Sequence, residues 1–311
     1  MQGKAGRAAI QRADLISSLG WVDLGGVLRQ AIGANPVTAK IVHVNQDMHL
    51  HNGWGRETFQ LPPTDLLIVA DPDETVRELI GELGIHPKLS ENLESVPEFP
   101  EFGGHLNLVD VARELLTAVG SQKVSFASLA RAWPTKYWPF SDSLSYLGKD
   151  GGGGVGSGPG LCVGAALKLK DSDRLVVGVI GDGDCMMGVN AFWTAARYTI
   201  PVLIIVANNR SYYNDELHQE GVAIHRGRDP GNRWVGQTID NPAPNISQIA
   251  DGLGVKAAGP IDSIKELEAA LARGIEVVRG GKPFLVDVHI DPGYGRELTE
   301  SSAERSFGKT K

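Results

Sequence analysis

Two short apolar runs, Leu175 to Ile180 (LVVGVI) and Val202 to Ala207 (VLIIVA), stand out along the chain. Each is rich in β-branched residues and lacks the alternation of a half-exposed strand, so each reads as a strand buried on both faces of a parallel sheet. Between them Val189 to Tyr198 (VNAFWTAARY) places Phe192, Ala195 and Ala196 at helical spacing, and Pro201 closes the segment. The unit is strand, helix, strand. In such units ligands collect beyond the carboxyl ends of the strands, so the residues just after Ile180 and just after Ala207 are expected on one edge. The same alternation continues on both sides. Leu106 to Val119 reads as a helix, Lys123 to Leu129 as a strand, and Leu161 to Leu169 as a helix. Ser263 and Glu266 form a capping-box pattern before Ile264, Leu267, Leu271, Ile275 and Val278 on one helix face, and Pro283 precedes a last strand, Phe284 to Ile290.

The amino-terminal third has its own pattern. Strand-like segments Asp14 to Leu19, Lys40 to Val44 and Leu66 to Ala70 alternate with helix-capable ones, and Asp73 to Leu83 carries Val76, Leu79, Ile80 and Leu83 at helical spacing. A Pro- and Glu-rich stretch from Gly84 to Gly104 follows and reads as a linker. The expected organisation is a partial Rossmann-like domain over 1–86, a linker over 87–105, a doubly wound, mainly parallel α/β domain over 106–290, and a polar tail over 291–311 that is loosely ordered or acts as a lid.

Composition narrows the classes. The 311 residues carry a net charge of -7 without a basic stripe, which argues against a nucleic-acid surface. Apolar runs stay at strand length, well short of a bilayer span, and the first residues (MQGKAGRAAIQRADLISS) lack the apolar core of a signal peptide; a cytoplasmic protein without a membrane partner is expected. Two cysteines, Cys162 and Cys185, cannot build a disulfide framework.

The chemistry sits at the two strand ends. Gly181-Asp182-Gly183-Asp184 follows the first and Asn208-Asn209 the second. Magnesium takes hard oxygen ligands, usually one or two carboxylates together with phosphate oxygens and water, and one Asp with one Asn amide oxygen suits it. Gly183 lets the backbone pass close to a phosphate. The N–H groups of Gly183 and Asp184 open a helix whose positive end favours anions, and the Asp184 side chain is expected to cap that helix.

Gly181 to Asn209 (GDGDCMMGVNAFWTAARYTIPVLIIVANN) resembles the cofactor motif of the thiamine diphosphate enzymes, in particular the acetolactate synthase and benzoylformate decarboxylase superfamily. The wider likeness covers most of the chain, with Gly151 to Ala166 (GGGGVGSGPGLCVGAA) similar to the loop and helix that precede the motif. The resemblance implies thiamine diphosphate and Mg2+ as cofactors. Asp182, Asn209 and the Ser211 carbonyl would be the metal ligands, and Gly153, Val155, Gly181, Gly183, Asp184 and Tyr212 would complete the cofactor contacts. Val155 aligns with the apolar residue that props the cofactor into its bent form, and a shift of two residues puts Ser157 there instead. Tyr212 falls beside the thiazolium position and His218 is a candidate proton carrier. Arg226, Arg228 and Arg233 are candidates for a substrate carboxylate or carrier phosphate. His49 and His51 alternate as on a strand but lack a third metal ligand nearby.

The activity so implied is decarboxylation or carboligation of 2-oxo acids, within a homo-oligomer. In that family a glutamate from a pyrimidine-binding domain activates the cofactor. No such domain is legible in this chain, so a separate chain or a missing gene segment is expected to supply it. Two other readings stay open: a stand-alone diphosphate-binding subunit of a 2-oxo acid oxidoreductase, for which two cysteines are too few to hold an iron–sulfur cluster, and a non-catalytic fragment that binds a phosphate ligand.

Overall fold

The computed structural model describes residues 4–21, 23–33, 35–46, 64–84, 97–148 and 154–291. The chain divides into two compact units, Met1–Glu91 and Asn92–Lys311.

In the first unit α1 (Lys4–Arg12), β1 (Leu15–Leu19), α2 (Leu24–Ile32), β2 (Lys40–Val44), β3 (Leu66–Ile68) and α3 (Pro72–Leu83) follow one another. The three strands form a parallel sheet in the order β1-β2-β3. Ile16 pairs with Ile41, and Leu24, Leu28 and Ile41 form a small core against Ile10, Ile32 and Val37. Asp71 stops β3 earlier than the apolar run LLIVA suggested: its carboxylate caps α3 by accepting from the N–H groups of Asp73 and Glu74, with Pro72 at the first helical position. Gly84, left-handed at φ 60°, ends that helix. His49 and His51 lie outside the described residues.

The second unit runs α4 (Leu108–Val119), β4 (Val124–Ser128), α5 (Ser157–Leu169), β5 (Leu175–Gly181), α6 (Asp182–Gly188), α7 (Asn190–Arg197), β6 (Leu203–Asn208), α8 (Tyr213–His225), α9 (Ile246–Gly252), β7 (Lys256–Ile261), α10 (Ile264–Arg279) and β8 (Phe284–His289). Its five strands are all parallel, in the order β4-β5-β6-β8-β7. Both faces of the sheet are covered. Leu175, Val177 and Val179 of β5, with Leu203 and Ile205 of β6, pack against α4 and α10. The intervening Val176, Ile180, Ile204 and Val206 pack against α5, α7 and α9. This is why LVVGVI and VLIIVA read as unbroken apolar runs: every position enters one core or the other. The chain has the α/β, mainly parallel doubly wound architecture expected of it. Among the described residues no helix is long and apolar enough to cross a membrane.

Four elements of the second unit, α6, α8, α9 and β7, lie beyond the sequence expectation. The edge strand β7 (KAAGPI) contains Gly259 and Pro260 and its register against β8 shifts between Ala258 and Ile261, which masks any strand pattern. The helix α6 is built from DGDCMMG, a poor helix sequence discussed below.

One close approach sets how α5 lies on the sheet. A Cβ added at Gly178 on β5 would stand 2.1 Å from the Cys162 sulfur. Both cysteines are fully buried and burial pushes their thiols up, so they act as small packed hydrophobes. Gly178→Ala is expected to destabilise the chain by about 1–3 kcal/mol through overpacking. Adding Cys162→Ala should recover most of the loss, as read by urea denaturation; an equal loss in the double variant would show that the contact is not the cause.

Candidate functional site

Gly181 is the last residue of β5 and pairs in register with Ala207 of β6, so the two chains leave the sheet side by side. Asp182 begins α6 immediately and Asn209 follows the end of β6. The Asp182 side chain is almost wholly buried, at 2% exposure. Burial pushes its carboxyl up to about 6, and the backbone amides of Gly183, Arg210 and Ser211 facing it pull in the opposite direction. Its Oδ2 is buried without a hydrogen-bond partner. A carboxylate oxygen in that state is costly for an empty protein and suits a cation, which supplies the missing partner.

The loop after β6 is shaped to present its oxygens at this point. Arg210 is left-handed at φ 57°. The Asn208 amide oxygen accepts from the Arg210 N–H (3.2 Å) and the Asn209 amide oxygen from the Ser211 N–H (3.1 Å). Ser211 bridges Thr238 in an antiparallel sense, with Ile239 N–H donating to the Arg210 carbonyl and Tyr212 N–H to the Gln237 carbonyl. In such a bridge the backbone groups of the central residue turn away from the partner strand, here towards the Asp182 side where the Ser211 N–H is directed. The Ser211 hydroxyl donates to the buried Glu216 of α8. The Asn209 amide oxygen has a second lone pair beyond its bond to Ser211. Among the described residues no group of three or more His, Cys, Asp or Glu is placed to hold a metal; the donor set here is one carboxylate, one amide oxygen and one carbonyl, which is the hard-oxygen chemistry of magnesium.

Gly183 and Tyr212 fit together. A Cβ at Gly183 would lie 2.3 Å from Cε1 of the Tyr212 ring, so the room that this glycine leaves is taken by the aromatic side chain. The phenol is pushed up by burial and by Asp182 and Asp215.

Asp184 corrects an expectation. It does not cap its own helix: its Oδ1 accepts from the N–H groups of Gly156 (2.6 Å) and Gly158 (3.3 Å) at the start of α5. Gly156 is left-handed at φ 100°, and a Cβ at Gly188 would meet the Gly156 carbonyl at 2.5 Å. The sequence DGDCMMG is held helical by these contacts to α5 rather than by its own propensity, since Gly and Asp are weak in helices.

A cleft of ≈ 270 Å³ lies at this edge of the sheet. It brings together Val155, Gly181, Asp182, Gly183, Asp184, Asn209, Ser211 and Tyr212. Val155 is half exposed, and Ser157, the alternative for its place, also lines the cleft while donating to the Gly154 carbonyl. Gly153 falls outside the described residues. His218 is exposed on α8 and is not among the cleft residues, because the helix carries it away after Asn214 and Asp215. Arg233 faces Glu216 (3.8 Å) and Glu220 (3.3 Å), so its charge is met within the protein, and Arg226 and Arg228 are exposed. Sequence reasoning missed the segment Ser128 to Arg131, which lines the cleft from the end of β4. The signal was available: β4 is the other neighbour of β5, and its carboxyl end must reach the same edge.

Comparison with known proteins shows the family. The model for the thiamine pyrophosphate enzyme C-terminal TPP-binding domain matches residues 127–288, which run from the end of β4 into β8 and include all the described cleft residues except Leu108 and Ile290. The chain belongs to the thiamine pyrophosphate enzyme family. Among relatives of this family, benzoylformate decarboxylase of Pseudomonas aeruginosa is 28% identical over 257 residues, covering 81% of this chain and 44% of that protein. Acetolactate synthase isozyme 3 large subunit of Escherichia coli is 29% identical over 158 residues, 50% of this chain and 25% of that protein. The structure of the thiamine diphosphate-dependent 4-hydroxybenzoylformate decarboxylase of Rhodococcus jostii RHA1 superposes with a TM-score of 0.65 at 25% identity, over 91% of this chain and 50% of the other. The chain thus spans half the length, or less, of these thiamine pyrophosphate enzymes.

The raised Asp182 carboxyl has a sign that can be measured. The folded chain holds this proton more tightly than the unfolded one, whose value is near 3.8, so its contribution to stability falls as pH rises from there through about 6 and stays low above. Asp182→Asn is expected to stabilise the metal-free chain at pH 8 by on the order of 1–3 kcal/mol and to flatten that part of the pH profile. Thermal denaturation across pH tests it; a variant less stable than the wild type at pH 8 would contradict a buried, unrelieved charge.

Proposed function

We propose that this chain supplies the diphosphate- and magnesium-binding part of an enzyme that decarboxylates or ligates 2-oxo acids, in the manner of the benzoylformate decarboxylase and acetolactate synthase relatives. The observation that carries the reading is the buried, unpartnered Oδ2 of Asp182, facing the loop that bears Asn209 and Ser211. Asp182, the Asn209 amide oxygen and the Ser211 carbonyl would hold the divalent cation, with diphosphate oxygens and water completing its shell. The cation relieves the burial of the carboxylate, so binding of metal and diphosphate should be strongly coupled.

Bound thiamine diphosphate supplies the electron sink that lets a 2-oxo acid lose carbon dioxide. The chain's own residues bind and orient. Gly181 to Asp184 bring backbone N–H groups to the diphosphate end. Val155, exposed at the cleft, would support the cofactor from the α5 side, and the Tyr212 ring, packed on Gly183, would shape the diphosphate end. Leu108, Leu129, Ala130 and Ile290 add apolar surface to the cleft.

The acid that activates the cofactor is not among these residues. In this reading it comes from a pyrimidine-binding domain, carried elsewhere in the full protein or on a partner chain, and the assembly is a homo-oligomer of the resulting unit. Calorimetry with thiamine diphosphate, with and without Mg2+, tests the proposal. Heat that depends on the metal is expected from the wild type and none from Asp182→Ala; unchanged affinity in that variant would remove Asp182 from the site.

A further inference from the structure

We infer that Asp287 is a positioning residue for the metal-binding loop, acting through Asn208; this rests on the reading just given. Asp287 lies on β8, the strand inserted between β6 and β7, and is 1% exposed. It shares a sheet face with Asn208: Asp287 pairs in register with Val206, two residues before Asn208, so the two side chains are diagonal neighbours across the β6–β8 pair. The Asn208 Nδ2 donates to Asp287 Oδ1 at 3.0 Å, and both residues are buried. The opposite edge of the amide then faces outward, and its Oδ1 accepts from the Arg210 N–H at 3.2 Å.

The choice of residue types matters. A carboxylate is an acceptor only, whereas an amide can present either its NH2 or its oxygen. With Asp287 in place the NH2 of Asn208 must face β8, so its oxygen must face Arg210. If the amide were reversed, two donors would meet at Arg210 and two acceptors at Asp287. The fixed amide holds Arg210 in its left-handed conformation (φ 57°), and so sets the course of a loop whose Arg210 and Ser211 N–H groups bond to Asn208 and Asn209 beside Asp182 and whose Asn209 lines the cleft. The neighbouring strand makes room for the arrangement. A Cβ at Gly259 of β7 would stand 2.6 Å from the Asp287 carbonyl oxygen and 2.7 Å from its Cβ, so only glycine lets β7 pass there. Asp287 touches neither cation nor cofactor in this account; it decides which way a second residue's amide points.

Exchanging the two residue types provides the test. Asp287→Asn removes the acceptor-only partner, and Asn208→Asp sets two carboxylates against each other. Combined, they restore one donor and one acceptor across the contact and leave a carboxylate oxygen at position 208 for the Arg210 N–H. At pH 8, each single variant is expected to lose about tenfold in Mg2+-dependent affinity for thiamine diphosphate, with the double variant back within about threefold of wild type. Hydrogen exchange provides the second readout, taken without metal or cofactor: the amides of Arg210 and Ser211 should exchange faster in each single variant and regain protection in the double, while those of β5 stay unchanged. Single variants that keep wild-type exchange at these amides, or a double variant no better than the worse single, would overturn the inference. A wild-type chain that shows no metal-dependent heat would instead overturn the functional reading, and the exchange pattern would still decide the role of Asp287.

Discussion

The buried carboxylate of Asp182, set against the backbone amides of residues 210 and 211, is the contact on which the rest of the site depends. It joins the ends of two adjacent parallel strands that are far apart along the chain. Burying a charge with one oxygen unpartnered is unfavourable, and a folded protein tolerates it only where the surroundings over-determine the position. Here they do: β5 and β6 are in register up to Gly181 and Ala207, α6 starts at Asp182 itself, and the loop on the other side is closed by Asx-type bonds and a bridge to Thr238. The cost of burying this carboxylate oxygen and its capacity to bind a divalent cation would have one origin.

Small residues make that placement possible. Gly178 admits the Cys162 sulfur and lets α5 lie close on β5; Gly188 admits the Gly156 carbonyl and lets α6 lie close on α5; Gly183 admits the Tyr212 ring. Each missing side chain removes a spacer between backbone elements. Asp184 then ties the start of α5 to α6 through two backbone N–H groups, so the first turn of α5 and the GDGD turn form one mechanical piece. The cleft lies between this piece and the loop after β6.

Much of this was legible in the sequence, and for a physical reason. LVVGVI and VLIIVA face two cores at once, so neither could be mistaken for a surface element, and the strand-end rule carried Asp182 and Asn209 to the same edge before any coordinates. Two of the elements that escaped, α6 and β7, have shapes imposed by neighbours. The helix α6 has a helix-breaking composition and exists because α5 holds it; β7 carries a Gly-Pro pair that only its pairing with β8 converts into a strand. Asp184 read as a local cap because side-chain capping is a short-range habit of Asp, whereas its partners sit 28 and 26 residues away. Asp287 gave no signal at all: a carboxylate inside PFLVDVHI has no local motif, and its contact with Asn208 depends on the pairing of β6 with β8.

The most direct measurement is to replace magnesium by Mn2+ in the presence of thiamine diphosphate and follow backbone amide signals by NMR, since the paramagnetic ion broadens what lies near it. The account predicts that Gly183, Arg210 and Ser211 broaden first and together, from opposite sides of the Asp182 carboxylate. Sharp signals at those amides while others in the domain broaden would contradict it.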